Sequence, residues 1–230
     1  MPSPFSYFLS IDAAPSAASE VAHWFAIDGA KLFASTGLVE CHRYRPHASA
    51  DPYVDDGPGP VLLLEFGFPD ALAMTTFVQW NEFVNATMRL RNAASVTLTH
   101  DGFETRYFPV AGETEPFPRF ASVSYVVRYY RPAEDEKAFQ SYYVNSHPPI
   151  LGRLPKVRNV LCYLPVTIPT IDGVAPAQCM LGNEVVFDSL DDLNAALASE
   201  VRDELRNDFH TFPPFSGRNT HYAMDRERVK

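Results

Sequence analysis

Cysteine is scarce in these 230 residues: Cys41, Cys162 and Cys179 are the whole complement, an odd number with no C-x-x-C pair. That argues against a disulfide framework and makes a reducing cytoplasm the expected setting. Basic residues are also short, 19 Lys and Arg against 28 Asp and Glu, for a net charge of −9. With no basic patch, sequence-independent binding to nucleic acid is excluded as an expectation. No glycine-rich loop follows a predicted strand, so no nucleotide cofactor is expected. His42 and His47 lie five apart with no acid at ligand spacing, so no metal site is expected. No apolar run approaches the roughly 18 residues of a membrane span, and no basic n-region followed by an apolar core suggests a secretory leader.

What the chain has in plenty is rings. It carries 17 Phe and 11 Tyr, with 46% hydrophobic and 20% charged residues, the balance of a globular protein with a ring-lined core or cavity.

Taken in order, the first half reads as strand, helix, strand, strand, helix, strand. Phe5 to Ile11 alternates as a strand. A helix follows from Ser16 with Val21, Trp24, Phe25 and Leu32 as its buried stripe, and Gly37 ends it. Leu38 to Pro46 is a strand, HASADPYVDDGPGP a loop, and Val61 to Phe68 a strand. Pro69-Asp70 opens a helix carrying Leu72, Phe77, Trp80, Val84 and Met88, and Val96 to about Val110 is the fourth strand. The short segment Gly112 to Pro118 reads as a boundary, dividing the chain into residues 1–111 and 119–230.

The order then repeats. Strands are predicted at Ala121–Tyr130, Val157–Leu164, Met180–Phe187 and His221–Val229, with helices at Pro132–Ser146 and Leu190–Phe209. Trp24-Phe25 aligns with Tyr142-Tyr143, and Tyr44-Arg45-Pro46 with Tyr163-Leu164-Pro165. Phe66, Asp70 and Leu72 align with Phe187, Asp191 and Leu193 at an offset of 121. A duplicated βαββαβ unit buries one sheet face against its twin. The expected fold is therefore α+β: two tandem ferredoxin-like units closing an eight-stranded antiparallel barrel within one chain, helices outside.

Chemistry concentrates in Tyr142 to Pro155, YYVNSHPPILGRLP. Phe139, Tyr143 and His147 follow at i, i+4 and i+8 on one helical stripe. Pro148 disfavours helical geometry at His147, which puts the histidine where the helix is expected to stop. Such a histidine is either a general acid or base or a cap bonded to a carbonyl. Counting from the paired aromatics, Gly29 stands at the matching position of the first half, or Asp28 if the alignment slips by one. The first half is thus expected to be a scaffold or lid without a site of its own.

This pattern of helix, Tyr-Tyr, His-Pro-Pro, Leu-Pro, strand and a second helix ending in Asp208 and Phe212 resembles the EthD family over about Phe120 to Val229. The resemblance implies half of a dimeric α/β barrel with a cavity. It covers His147 and Asp208, and an aspartate there is expected to orient the imidazole as in a triad; Tyr143 joins them as a catalytic candidate because it shares the stripe with His147. Phe139, Tyr125, Tyr129, Tyr163 and Phe212 are the expected substrate-binding rings around a barrel cavity. The expected activity is a cofactor-independent lyase of the dehydratase kind, or a cyclase or isomerase, acting on a small, apolar, aromatic molecule. A cofactor-free monooxygenase and a non-catalytic binding protein for a hydrophobic metabolite are the alternatives. Some barrels of this kind hold haem on a helix histidine, but only His147 speaks for that here, and no cofactor is expected. A homodimer of the two-repeat chain is compatible with the pattern. The helix end and Asp208 favour imidazolium, so a raised His147 pKa and a role as acid are expected.

Overall fold

The central strands are buried on both faces, and this decides the architecture. In the computed structural model, which describes residues 3–113 and 120–230, every residue of Leu62–Phe68 and of Cys179–Phe187 is buried. A sheet buried on both faces needs a layer on each side. Helices supply one layer, and the sheet, rolled upon itself, supplies the other.

The first half runs β1 (Phe5–Ala13), α1 (Ala18–Trp24), a π-helical turn (Phe25–Gly29), α2 (Ala30–Leu32), β2 (Glu40–Pro46), β3 (Leu62–Phe68), α3 (Ala71–Val78), α4 (Asn81–Ala93) and β4 (Val96–Phe108). The second runs β5 (Val123–Tyr130), α5 (Glu136–Leu151), β6 (Asn159–Val166), a two-residue β7 (Ala175–Pro176), β8 (Cys179–Phe187), α6 (Leu190–Leu197), α7 (Glu200–Phe209) and β9 (Asn219–Arg228). The strand order is β4-β1-β3-β2 in one half and β9-β5-β8-β6 in the other, the same ferredoxin-like order twice. Two seams join them: β2 pairs β9 from His42↔Arg228 to Pro46↔Met224, and β4 pairs β6 from Gly102↔Val166 to Phe108↔Val160. Eight antiparallel strands therefore close into a barrel inside one chain, and β7 adds to β4 in parallel. Among the described residues no helix is long and apolar enough to cross a membrane.

Several sequence expectations need correction. Phe68 pairs with Phe5 as Phe187 pairs with Val123, so the β3–β8 correspondence is Phe68 with Phe187, an offset of 187 − 68 = 119 rather than 121. Asp70 then matches Ser189, and each is an N-cap accepting from the backbone three residues on. Both long helices predicted after the third strand of each half break in two, at Gln79-Trp80 and at Ala198-Ser199. Leu72 and Met88 lie off the buried faces of α3 and α4 and are 76% and 48% exposed. The predicted boundary Gly112 to Pro118 falls mostly outside the described residues.

Alternation along each strand sorts side chains between two environments. On β5, Val123, Tyr125, Val127 and Tyr129 face the helices, while Ser124, Val126 and Arg128 face the lumen. The lumen is filled by apolar side chains and a polar network with near two-fold symmetry. Ser6, Tyr44 and Glu65 repeat as Ser124, Tyr163 and Glu184, each hydroxyl donating to its own glutamate. Arg226 and His42 complete the network: Arg226 Nε lies 3.4 Å from Glu184, and His42 Nδ1 lies 3.0 Å from Glu65. Burial alone would raise the Glu65 carboxyl. The hydrogen bond and charge of His42, then Arg226 and Tyr44, pull it below the usual range instead.

Candidate functional site

The site begins with α5. Asp135 caps the helix by accepting from Ala138 N at 2.9 Å, so the helix starts at Glu136 rather than at Pro132. It also runs further than expected, through Pro148 and Pro149 to Leu151. Tertiary packing overrides the proline penalty there: Phe139, Tyr143, His147, Pro148 and Leu151 form one buried stripe. Gly152 N closes the end on Pro148 O at 2.9 Å. His147 therefore sits inside a continuous helix, not at its end.

α7 packs alongside and brings Asp208 to the imidazole. His147 Nδ1 lies 2.7 Å from Asp208 Oδ2, with both side chains about nine-tenths buried. Behind the pair stands a ring cluster. Tyr143 lies 4.8 Å and Phe212 5.2 Å from the imidazole centroid, and Phe212 also meets Phe139 and Tyr129 edge-on. Burial holds the His147 pKa below its ordinary value, against the hydrogen bond and charge of Asp208, and the Arg202 charge lowers it further. The expected rise is thus reversed, because burial outweighs the carboxylate. A neutral imidazole donates from Nδ1 to Asp208, which leaves the lone pair on Nε2. Among the described residues no hydrogen-bond partner meets Nε2.

His147 lines a cavity of about 60 Å³ between the second-half sheet and its helices. This is the helix side of the sheet, not the barrel cavity at whose rim the site was expected. Tyr125 and Tyr129 line it as well, whereas Tyr143, Phe139 and Phe212 pack behind the imidazole. The hydroxyls of Tyr129 and Tyr143 perturb one another, yet Tyr143 OH, fully buried, makes no hydrogen bond of normal geometry. Tyr163 stands apart: its hydroxyl donates to Glu184 at 2.7 Å within the lumen, on the opposite face of the sheet.

Sequence reasoning missed three groups. Asn183 lines the cavity floor, 2% exposed, and its Oδ1 has no partner. The signal was available once the offset is corrected, since its first-half match is Leu64 (183 − 119 = 64), a polar residue where the twin is apolar. Arg202 on α7 forms a bidentate pair with Asp51 at 3.0–3.1 Å, and Tyr125 OH donates to the same carboxylate at 2.8 Å. Asp51 comes from the first-half loop between β2 and β3, which straps across the second half. Ala50 N donates to Asn194, Tyr53 OH bonds Asp203, Val54 lines the cavity, and Asp56 receives His221 N and Nδ1. Nothing in the loop's own sequence announces these long-range partners.

Fold and site together define a single-chain counterpart of the dimeric α/β barrel that carries the buried His147–Asp208 pair. The whole chain aligns with solved structures of that architecture. A proposed monooxygenase from Fusobacterium nucleatum matches 100% of this chain and 94% of its own at 8% identity, with a TM-score of 0.61. An anthrone oxidase-like protein matches 98% and 92% at 12% identity, with a TM-score of 0.59. At these identities the likeness concerns the fold. An EthD-family protein from Bacillus halodurans matches 43% of this chain and 96% of its own at 22% identity, but its TM-score of 0.35 carries no argument. No family model and no curated protein matches the sequence.

Proposed function

We propose that the chain is a general-base enzyme that takes a proton from an apolar, ring-bearing molecule with an acidic C–H or phenolic O–H. The observation that carries this reading is the 2.7 Å contact of His147 Nδ1 with Asp208 in an environment that keeps the imidazole neutral. Nε2 accepts the substrate proton, and Asp208 stabilises the imidazolium that forms, as an orienting carboxylate does in triads. The unpartnered Asn183 Oδ1 in the same cavity is an acceptor for a hydroxyl of the substrate and so helps to orient it beside His147. In the lyase reading, the imidazolium returns the proton to a leaving hydroxyl and water departs, leaving a double bond. The names of the fold neighbours favour a second reading, cofactor-free oxidation: the carbanion passes its electrons to O2, and a CH2 group becomes C=O with release of one water.

A cavity of about 60 Å³ is far below the ~300–1,000 Å³ of a site that encloses a ring-bearing ligand. Turnover therefore requires the strap of residues 47–61 to move off α6 and α7. The test uses anthrone in an oxygen electrode, with a β-hydroxy ketone followed in parallel for loss of water. Either reaction should be lost about 10²–10⁴-fold in His147→Ala. Oxygen uptake selects the second reading and water loss the first. Binding of either probe, with no turnover and no dependence on His147, means a carrier and ends the enzyme reading.

A further inference from the structure

The most anomalous charge in the molecule is not in the Asp–His site. Arg128 on β5 points to the lumen and is 8% exposed. Among the described residues no carboxylate lies within ion-pair distance of it. Nη1 donates to Val127 O at 3.0 Å and Asn183 O at 3.4 Å, while Nη2 is buried without a partner. Three rings hold the guanidinium, Phe8 at 4.7 Å, Tyr163 at 4.9 Å and Phe103 at 5.6 Å. Its space is reserved by Gly182, where any Cβ would come within 2.9 Å of Nη1. A buried cation with a free donor costs several kcal/mol unless something meets it.

Arg128 lines a cavity of about 390 Å³ at one end of the barrel, within the range of small-molecule sites. Its inner wall is apolar, with Phe8, Leu63, Phe103 and Val126 from the lumen core. At its mouth stands a second arginine, Arg218, stacked on Tyr130 at 4.5 Å. The sheet separates this cavity from His147.

We propose that the open end of the barrel is a second binding site, for a flat, apolar monocarboxylate whose carboxylate pairs with Arg128 and whose ring lies among Phe8, Phe103 and Tyr130. A carboxylate in the cavity supplies the counter-charge that the Arg128 guanidinium lacks, and Arg218 adds attraction at the entrance. The other titratable groups facing this cavity are Asp12 on β1, His100 and Asp101 on β4, Tyr130 on β5 and Tyr222 on β9. Burial pushes the Asp101 carboxyl up to about 7, against the charges of Arg128 and Arg131, and raises Asp12 as well. Burial holds His100 at about 4, hence neutral, and raises both tyrosines, which stay protonated. Below pH 7, Asp101 therefore offers a hydroxyl donor to the ligand; above it, a repelling charge. Affinity should fall as pH rises through 7.

The probe is 2-naphthoate, with neutral 2-naphthamide as its isostere, titrated calorimetrically into the full chain at pH 6.5 and 8.5. Naphthoate should bind at least about tenfold tighter than naphthamide at pH 6.5, and more weakly at pH 8.5. Arg128→Met should remove that preference, and His147→Ala should leave it intact. Equal binding of the two probes, or a preference lost in His147→Ala and kept in Arg128→Met, overturns the proposal. If Arg128→Met does not fold, crystals of the unaltered protein with 6-bromo-2-naphthoate decide the matter. Anomalous bromine signal in the barrel mouth, together with the titration preference, supports the site. Signal elsewhere only, or at crystal concentration with no binding in solution, refutes it. Neither outcome depends on whether His147 catalyses anything.

Discussion

Replacing Arg226 by methionine tests whether the lumen network holds the two halves together. Arg226 is 6% exposed and sits between the two glutamates: Nε lies 3.4 Å from Glu184 Oε1 and 3.4 Å from Tyr44 OH, and Nη2 lies 3.3 Å from His42 Nδ1. At an effective dielectric of about 20, a 3.4 Å separation gives roughly 5 kcal/mol of attraction with Glu184 alone. Methionine regains the cost of burying the guanidinium but leaves Glu65 and Glu184 without their shared cation. The expected loss is about 3–5 kcal/mol, the range for breaking a buried pair. The loss must also depend on pH. In the unaltered protein the Glu65 carboxyl is lowered, so its stabilisation is present above the ordinary glutamate pKa and fades as pH falls through the folded value. In Arg226→Met an orphaned carboxyl is instead raised, penalised at pH 8 and relieved of charge as pH falls. Urea unfolding at pH 8 and pH 5, read by tryptophan fluorescence and far-ultraviolet dichroism, measures both quantities. Glu184→Gln in the Arg226→Met background should restore part of the loss. A loss under about 1 kcal/mol at pH 8, or equal losses at the two pH values, would refute the reasoning.

Further outcomes follow from the same geometry. With its pKa lowered by burial, His147 should give a pH–rate profile with a rising acid limb below its ordinary value and a plateau above it. Asp208→Asn removes the raising interaction, so the limb should move to still lower pH while the rate drops about 10²–10⁴-fold; an unmoved limb would mean that another group orients the imidazole. Asp51→Ala frees Arg202 and Tyr125, so hydrogen exchange at Ala50 N and the strap around it should speed up while the barrel strands keep their protection. Asp101→Asn should stabilise the fold at pH 8 by about 4 kcal/mol at most, from a carboxyl raised from 3.8 to about 7, and the gain should vanish below pH 4, where both states are protonated. A fragment of residues 119–230 exposes the edges of β6 and β9 and should self-associate in gel filtration; a well-behaved monomer would contradict the division of the chain into mutually dependent halves.

The sequence by itself determined the duplicated unit, the closed barrel and the helical stripe of Phe139, Tyr143 and His147. These follow from periods of 2 and 3.6, which are local and are written along the chain itself. The pairing of His147 with Asp208 was legible only through a family pattern, since 61 residues separate them and no spacing rule links them. Tertiary structure decided the rest. It carried α5 through two prolines, because the buried stripe outweighs the lost backbone bonds. It set His147 on the helix side of the sheet and Tyr163 on the lumen side, a distinction that depends on which face of a doubly buried strand meets which layer. It reversed the sign of the His147 pKa, because burial is a property of the packed molecule and not of neighbouring residues in the chain. And it brought Asp51 of the first half onto Arg202 and Tyr125 of the second, contacts that span 151 and 74 residues and that only closure of the barrel creates.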